Sequence, residues 1–161
     1  MDAITLLKEQ HREVEALLKA AEKAESPKEK KTLFQQIGDN LAAHAAIEEE
    51  IFYPAIYRDK TEDILREAVE EHLAAKRIIA DLLDMDETEP QYGAKLSVLR
   101  EQIEHHVKEE EKELFPEVKK GLHKAELEEM GSEMEALFTK LMKRKPRETV
   151  RMQTGEAAPL E

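Results

Sequence analysis

The chain carries the same helical hairpin twice. His72 lies 61 residues after His11, and His106, Glu110 and Pro116 lie 62 residues after His44, Glu48 and Pro54. The runs EEEIFYP and EEKELFP close the two copies at matching places. Whatever burial the first hairpin needs, the second needs too, so the repeat predicts two hairpins facing each other across an approximate two-fold axis. Helix-period patterning is the medium of the repeat, since apolar residues recur three and four apart along both copies.

The first stretch, about residues 2 to 24, has the stripe Ile4, Leu7, His11, Val14, Leu18 and Ala21. Ser26-Pro27-Lys28-Glu29 reads as a capping box with proline at the first helical position, starting a second helix. Its stripe is Leu33, Ile37, Leu41, His44, Ile47, Glu48 and Ile51, and Pro54 should kink or end it. Thr61 is the expected N-cap of a third helix with Leu65, Ala68, His72, Ala75, Ile79 and Leu82 inward. After the acidic loop DMDETEP, a fourth begins near Gln91, carries Leu96, Leu99, Ile103, His106 and Glu110, and meets Pro116. A fifth, about 124–144, shows Leu127, Met130, Met134, Leu137, Phe138 and Leu141 and should flank the others. From Lys145 onward periodicity is lost, and residues 145–161 are expected to be a disordered tail. The expectation is an all-α domain over 1–144: an up-down-up-down four-helix bundle over about 2–118 with an additional C-terminal helix.

Composition narrows the chemistry. With 161 residues, 37 acidic and 25 basic, the net charge is −12, which disfavours a general nucleic-acid binder. There is no cysteine, so disulfides, thiolate nucleophiles and iron–sulfur ligation are excluded, and a metal would need His, Asp, Glu or Tyr. No segment approaches the roughly 20 apolar residues of a membrane span, and the first residues lack the apolar core of a secretory leader. The expectation is a cytoplasmic protein with no membrane association.

Each of the four bundle stripes carries one histidine: His11, His44, His72 and His106. On the second and fourth, a glutamate follows four residues later, giving His44-x-x-x-Glu48 and His106-x-x-x-Glu110, each pair on one helical face. A lone histidine on an apolar face is ordinarily a hydrogen-bonded core residue. The full set resists that reading, because two carboxylates among aliphatic side chains cost several kcal/mol each unless they are paired or metal-bound. No Arg or Lys recurs on the stripes to neutralise them. These six side chains therefore predict a buried metal centre. Two carboxylates that bridge and four imidazoles would give each of two metals two nitrogens and two oxygens. A bridging oxo or hydroxo group would add a fifth ligand and leave one open position, which suits two non-haem iron ions, with manganese as the other fitting metal.

The runs LLKEQHREVEALL, HAAIEEEIFYP, EEHLAAKRIIADLL and HVKEEEKELFP resemble the four helices of hemerythrin-like, HHE-type cation-binding domains, over about residues 3 to 118. The resemblance implies a di-iron bundle in which His11, His44, Glu48, His72, His106 and Glu110 are the ligands and the glutamates the bridges. It also exposes two departures. Oxygen-carrying hemerythrins have a fifth histidine one turn after the third-helix ligand, where this chain has Lys76. They place an aspartate five residues after the fourth-helix histidine, where this chain has a glutamate after four. Loss of the fifth histidine would open a site on the second iron and argues against oxygen transport. Tyr53 is the candidate for the vacated position, provided the helix distorts at Pro54, since an ideal helix points it away from His44. The ferritin-like alternative expects Glu-x-x-His, and no histidine here has Glu three residues before it.

Three functions follow as expectations. The first is a di-iron protein binding or sensing dioxygen, peroxide or nitric oxide, or handling iron. The second is a di-iron enzyme acting on hydrogen peroxide in a catalase- or peroxidase-like way. The third is a metal-free bundle that binds an unspecified protein partner. Among the remaining polar residues, His105 and His123 are expected at the surface. Glu49 and Glu111 are candidates for orienting a ligand histidine, and Lys140, Lys143, Arg144, Lys145 and Arg147 form the one basic cluster.

Overall fold

In the computed structural model, which describes residues 1–161, every element is helical. Helix α1 (Ala3–Lys23) starts where the Asp2 carboxylate accepts the Thr5 N–H at 2.9 Å. Helix α2 (Pro27–Ile47) starts on Ser26, whose hydroxyl accepts the Glu29 N–H at 3.1 Å, the forward half of the predicted box. Thr61 stands at the N-cap position of α4 (Glu62–Asp84), but its hydroxyl donates to the Ile56 carbonyl at 2.7 Å. It fastens the preceding turn and does not cap. Helix α5 (Pro90–Glu109) completes the bundle.

Neither proline ends its helix. Pro54 lacks an N–H, and its ring crowds the carbonyl four residues back. The chain answers by widening: Glu48–Phe52 is a π-helical turn, and the Tyr53 N–H bonds to the Glu48 carbonyl five residues away. The short α3 (Tyr53–Ile56) then resumes. The second hairpin repeats the device, with a π turn over Glu110–Leu114, the Phe115 N–H on the Glu110 carbonyl, and α6 (Phe115–Gly121) beyond.

Every stripe residue predicted for α1, α4 and α5 is buried, and on α2 only Leu33 and Ile51 are partly exposed. The packed interior is split in two. One apolar cluster, with Leu7, Phe52, Leu65 and Phe115, lies towards the π turns, and the other, with Leu18, Phe34, Ile79 and Leu99, lies towards the opposite end. The polar stripe residues form the layer between them. Helix α7 (Lys124–Met142) flanks the bundle across α1 and α2 as expected. Gly131 lets the N-terminal residues cross it, because a Cβ there would stand 2.2 Å from the Met1 carbonyl oxygen.

The tail departs from expectation. Residues 145–161 are folded: Lys145 turns with φ 50°, Pro146–Gln153 form a 3-10 helix lying between α2 and α4, and Val150 and Leu160 are buried. Arg147 accordingly leaves the basic cluster and pairs with Asp39 at 2.6 Å. Single apolar residues among charged neighbours show no period, and their burial depends on a gap that other helices create.

Candidate metal centre

All six predicted residues meet in the layer between the two cores. His11 and Glu110 are 1% exposed, Glu48 is fully buried, and His44, His72 and His106 are buried. The imidazoles sort into two pairs, His11 with His44 (ring centroids 4.9 Å apart) and His72 with His106 (4.8 Å). The carboxylates stand between the pairs. Glu48 Oε1 lies 3.2 Å from Nε2 of both His44 and His72, and Glu110 Oε1 lies 3.2 Å from His11 Nε2 and 3.5 Å from His106 Nε2.

The outer edge of each ring is also fixed. Nδ1 of His11 donates to Glu111 (2.7 Å), that of His44 to Gln10 (2.7 Å), that of His72 to Glu49 (2.7 Å) and that of His106 to Glu71 (2.8 Å). An acceptor at Nδ1 holds the proton there, so in the neutral ring Nε2 turns a lone pair inward. Glu49 and Glu111, the two carboxylates singled out beside the histidines, hold the His72 and His11 rings in this way. Gln10 and Glu71 were not singled out from sequence. Their signal is adjacency, since each immediately precedes a stripe histidine and the two are related by the 61-residue repeat.

Lone pairs facing carboxylate oxygens require a cation between them. His11 Nε2, His44 Nε2, both Glu48 oxygens and Glu110 Oε1 are buried with no hydrogen-bond partner. The 3.2 Å approaches of His11 and His44 to carboxylates are therefore charge contacts without hydrogen-bond alignment. Burial opposes a charged His11, yet Glu110 and Glu111 outweigh it and push its pKa up to about 9. His106 also rises well above the ordinary imidazole value, burial being outweighed by Glu110 and Glu48. Burial likewise works against an ionised Glu48, and the surrounding imidazoles hold it well below the usual carboxylate range. The layer draws in positive charge, and a mixed imidazole and carboxylate set is what a transition metal takes. The residues present fit two such ions.

Tyr53 enters this layer through the π turn. The extra residue rotates the position inward, and the phenol donates to Glu110 Oε2 at 2.5 Å and lies 3.3 Å from His72 Nε2. Burial and the Glu110 carboxylate keep that phenol protonated, well above its ordinary pKa. Lys76 is buried but does not reach the centre; its Nζ donates to both Glu49 oxygens, at 2.9 and 3.0 Å. His105 is at the surface, 59% exposed by its side chain, between Glu71 and Glu109, and His123 is exposed at the start of α7. A cavity of about 30 Å³ adjoins all four imidazoles and is otherwise mostly walled by aliphatic side chains. No helix is long and apolar enough to cross a membrane.

Comparison with known proteins places this geometry. A crystal structure of a hemerythrin HHE cation-binding domain-containing protein from Mycobacterium kansasii superposes with a TM-score of 0.79, at 28% identity, over 96% of this chain and 94% of that one. The Mycobacterium tuberculosis protein Rv2633c is 29% identical over 143 residues, 88% of each chain. A DNA nickase of Nostoc is 25% identical over 144 residues, and the chain spans 41% of that protein's length. Residues 2–118, the whole bundle with both π turns, match the hemerythrin HHE cation-binding domain, and the chain belongs to that family.

Proposed function

We propose that the chain is a non-haem di-iron protein that binds a small ligand such as dioxygen, peroxide or nitric oxide, and that it is not an oxygen carrier. The observation that carries this reading is the set of buried, unpartnered donor atoms beside a cavity large enough for one small molecule. His11 and His44 would hold one ion, His72 and His106 the other, and Glu48 and Glu110 would bridge them. Irons so held supply Lewis acidity and redox equivalents to the ligand. Lys76 holds the position of the family's fifth histidine and is tied to Glu49, while Tyr53, from the π turn, keeps a proton on its phenol beside the His72 half. A second reading, turnover of hydrogen peroxide, is favoured by that retained proton, which Tyr53 would supply at the metal layer through its contacts with Glu110 and His72.

The nicking activity named for the Nostoc relative is not carried over. A net charge of −12 opposes contact with duplex DNA.

The test is iron stoichiometry with an absorption spectrum before and after azide and peroxide. Two irons per chain, the near-ultraviolet bands of a bridged diferric centre and a spectral change with azide are expected. A chain that takes up no metal and gains no thermal stability on reconstitution overturns the reading. Oxygen evolution from peroxide, lost in His106→Ala, selects the enzymatic form; loaded protein that leaves peroxide untouched removes it.

A further inference from the structure

The two-fold repeat gives the bundle two equivalent long edges, one between α1 and α5 and one between α2 and α4, and they are closed differently. Helices α1 and α5 pack directly, whereas α2 and α4 meet little and the 3-10 segment of the tail lies between them. The sequence accounts for this. Val14 and Val107 fill the wall of the cavity at the first edge, and the repeat places Ala75 and Ala45 at the corresponding positions of the second. Two alanines leave a notch that Val150, carried in from the tail and fully buried, occupies. Val150 thereby lines the same cavity as the four histidines.

The tail is tied across the notch as a strap. On the α2 side Arg147 donates its backbone N–H and its guanidinium to Asp39, at 3.1 and 2.6 Å. Its backbone can come so close because Gly38 has no side chain; a Cβ there would lie 3.2 Å from that of Arg147. On the α4 side Arg77 donates to the Thr154 carbonyl at 3.0 Å, and Arg151 pairs with Asp84 at 2.8 Å. The ties on the α4 side lie at the surface and are individually weak in water, whereas the Arg147–Asp39 tie is largely buried, 12% and 16% exposed, so the strap can lift from its α4 side without unfolding the bundle.

We propose that the strap is the gate to the metal centre and that Val150 is the residue that sets which ligands pass. The passage runs through the notch between Ala45 and Ala75, and the β-branched plug sets the size of the molecules that pass. This inference rests on the proposed metal centre for its purpose but not for its test.

The full-length chain is examined as wild type, Val150→Ala, Val150→Ile and Arg147→Ala. Xenon exchange into the metal-free protein is followed by NMR, and azide association to the iron-loaded protein by stopped flow. Val150→Ala and Arg147→Ala should each speed both processes by about tenfold, as for a gate shut some nine-tenths of the time, and Val150→Ile should slow them. Amide exchange over residues 146–153 should rise in Arg147→Ala and Val150→Ala and not in Val150→Ile. Arg147→Ala leaves the plug in place, so it carries the test if Val150→Ala fails to fold. Unchanged xenon and azide rates in every folded variant overturn the gate. If azide gives no signal in any protein while xenon still responds to these changes, the gate stands and it is the di-iron reading that fails.

Discussion

The half of the centre built on His11 and His44 and the half built on His72 and His106 have the same donor atoms in different surroundings. Phe115 lies parallel to the His11 ring, at 6.0 Å, in the place where Tyr53 stacks on His72 at 5.5 Å. The phenol gives Glu110 Oε2 a partner; the phenyl gives none, and Glu48 Oε2 is left without one. Gln10, a neutral amide, holds His44, and Glu71, a carboxylate, holds the equivalent His106. A carboxylate on Nδ1 makes the far nitrogen a stronger donor than an amide does. The repeat fixes what can ligate, and the ring of residues around it makes the two positions chemically unequal. The phenol therefore touches one half of the layer only, at Glu110 and His72.

Removing what joins the halves should have the largest effect. Glu48→Ala should abolish binding of two irons per chain, and chelation of the wild type should cost about 4 kcal/mol of stability if metal is present at roughly 1,000 times its Kd. Metal analysis with urea titration reads both. Next comes pH in the metal-free protein. The His11 pKa is raised to about 9, so its contribution is complete below the ordinary value of 6.5 and is lost as pH rises towards 9. The loss should be about 3 kcal/mol by the linkage of pKa to stability, and metal should abolish the dependence. Thermal melts across that range check it, and a flat profile would deny that protons stand in for the cation.

Smaller effects come from making the halves alike. Tyr53→Phe strands Glu110 Oε2 as Glu48 Oε2 is already stranded and should cost the metal-free protein about 2 kcal/mol, the desolvation penalty of an unpaired buried acceptor. Phe115→Tyr in the same protein should recover part of that loss. Smallest, Gln10→Ala should weaken metal binding by about tenfold through His44, and Gln10→Glu should restore it. Competition with a coloured chelator measures the change; equal affinities would mean that the amide only fills space.

Much of this was legible in the sequence, because burial of an apolar stripe and the spacing of His44 and Glu48 depend only on helical period. The six central residues converge for that reason. Tyr53 was harder. A regular helix turns it away, and only the π turn forced at Pro54 brings it in. Thr61 misled because the same hydroxyl can serve a cap or the loop before it. The tail was misread because Val150 is buried by a gap between Ala45 and Ala75; the repeat marks both alanines against Val107 and Val14, but nothing in the tail's own pattern says which residue fills the gap.

The wide turns at Glu48–Phe52 and Glu110–Leu114 have one more consequence. Each interposes a slack winding between the carboxylate and the aromatic that follows it, so the two side chains belong to separately phased stretches of one rod. Evolution could exchange phenol for phenyl in either copy and leave the carboxylates where they were. The hairpins could drift apart in reactivity while remaining twins in shape.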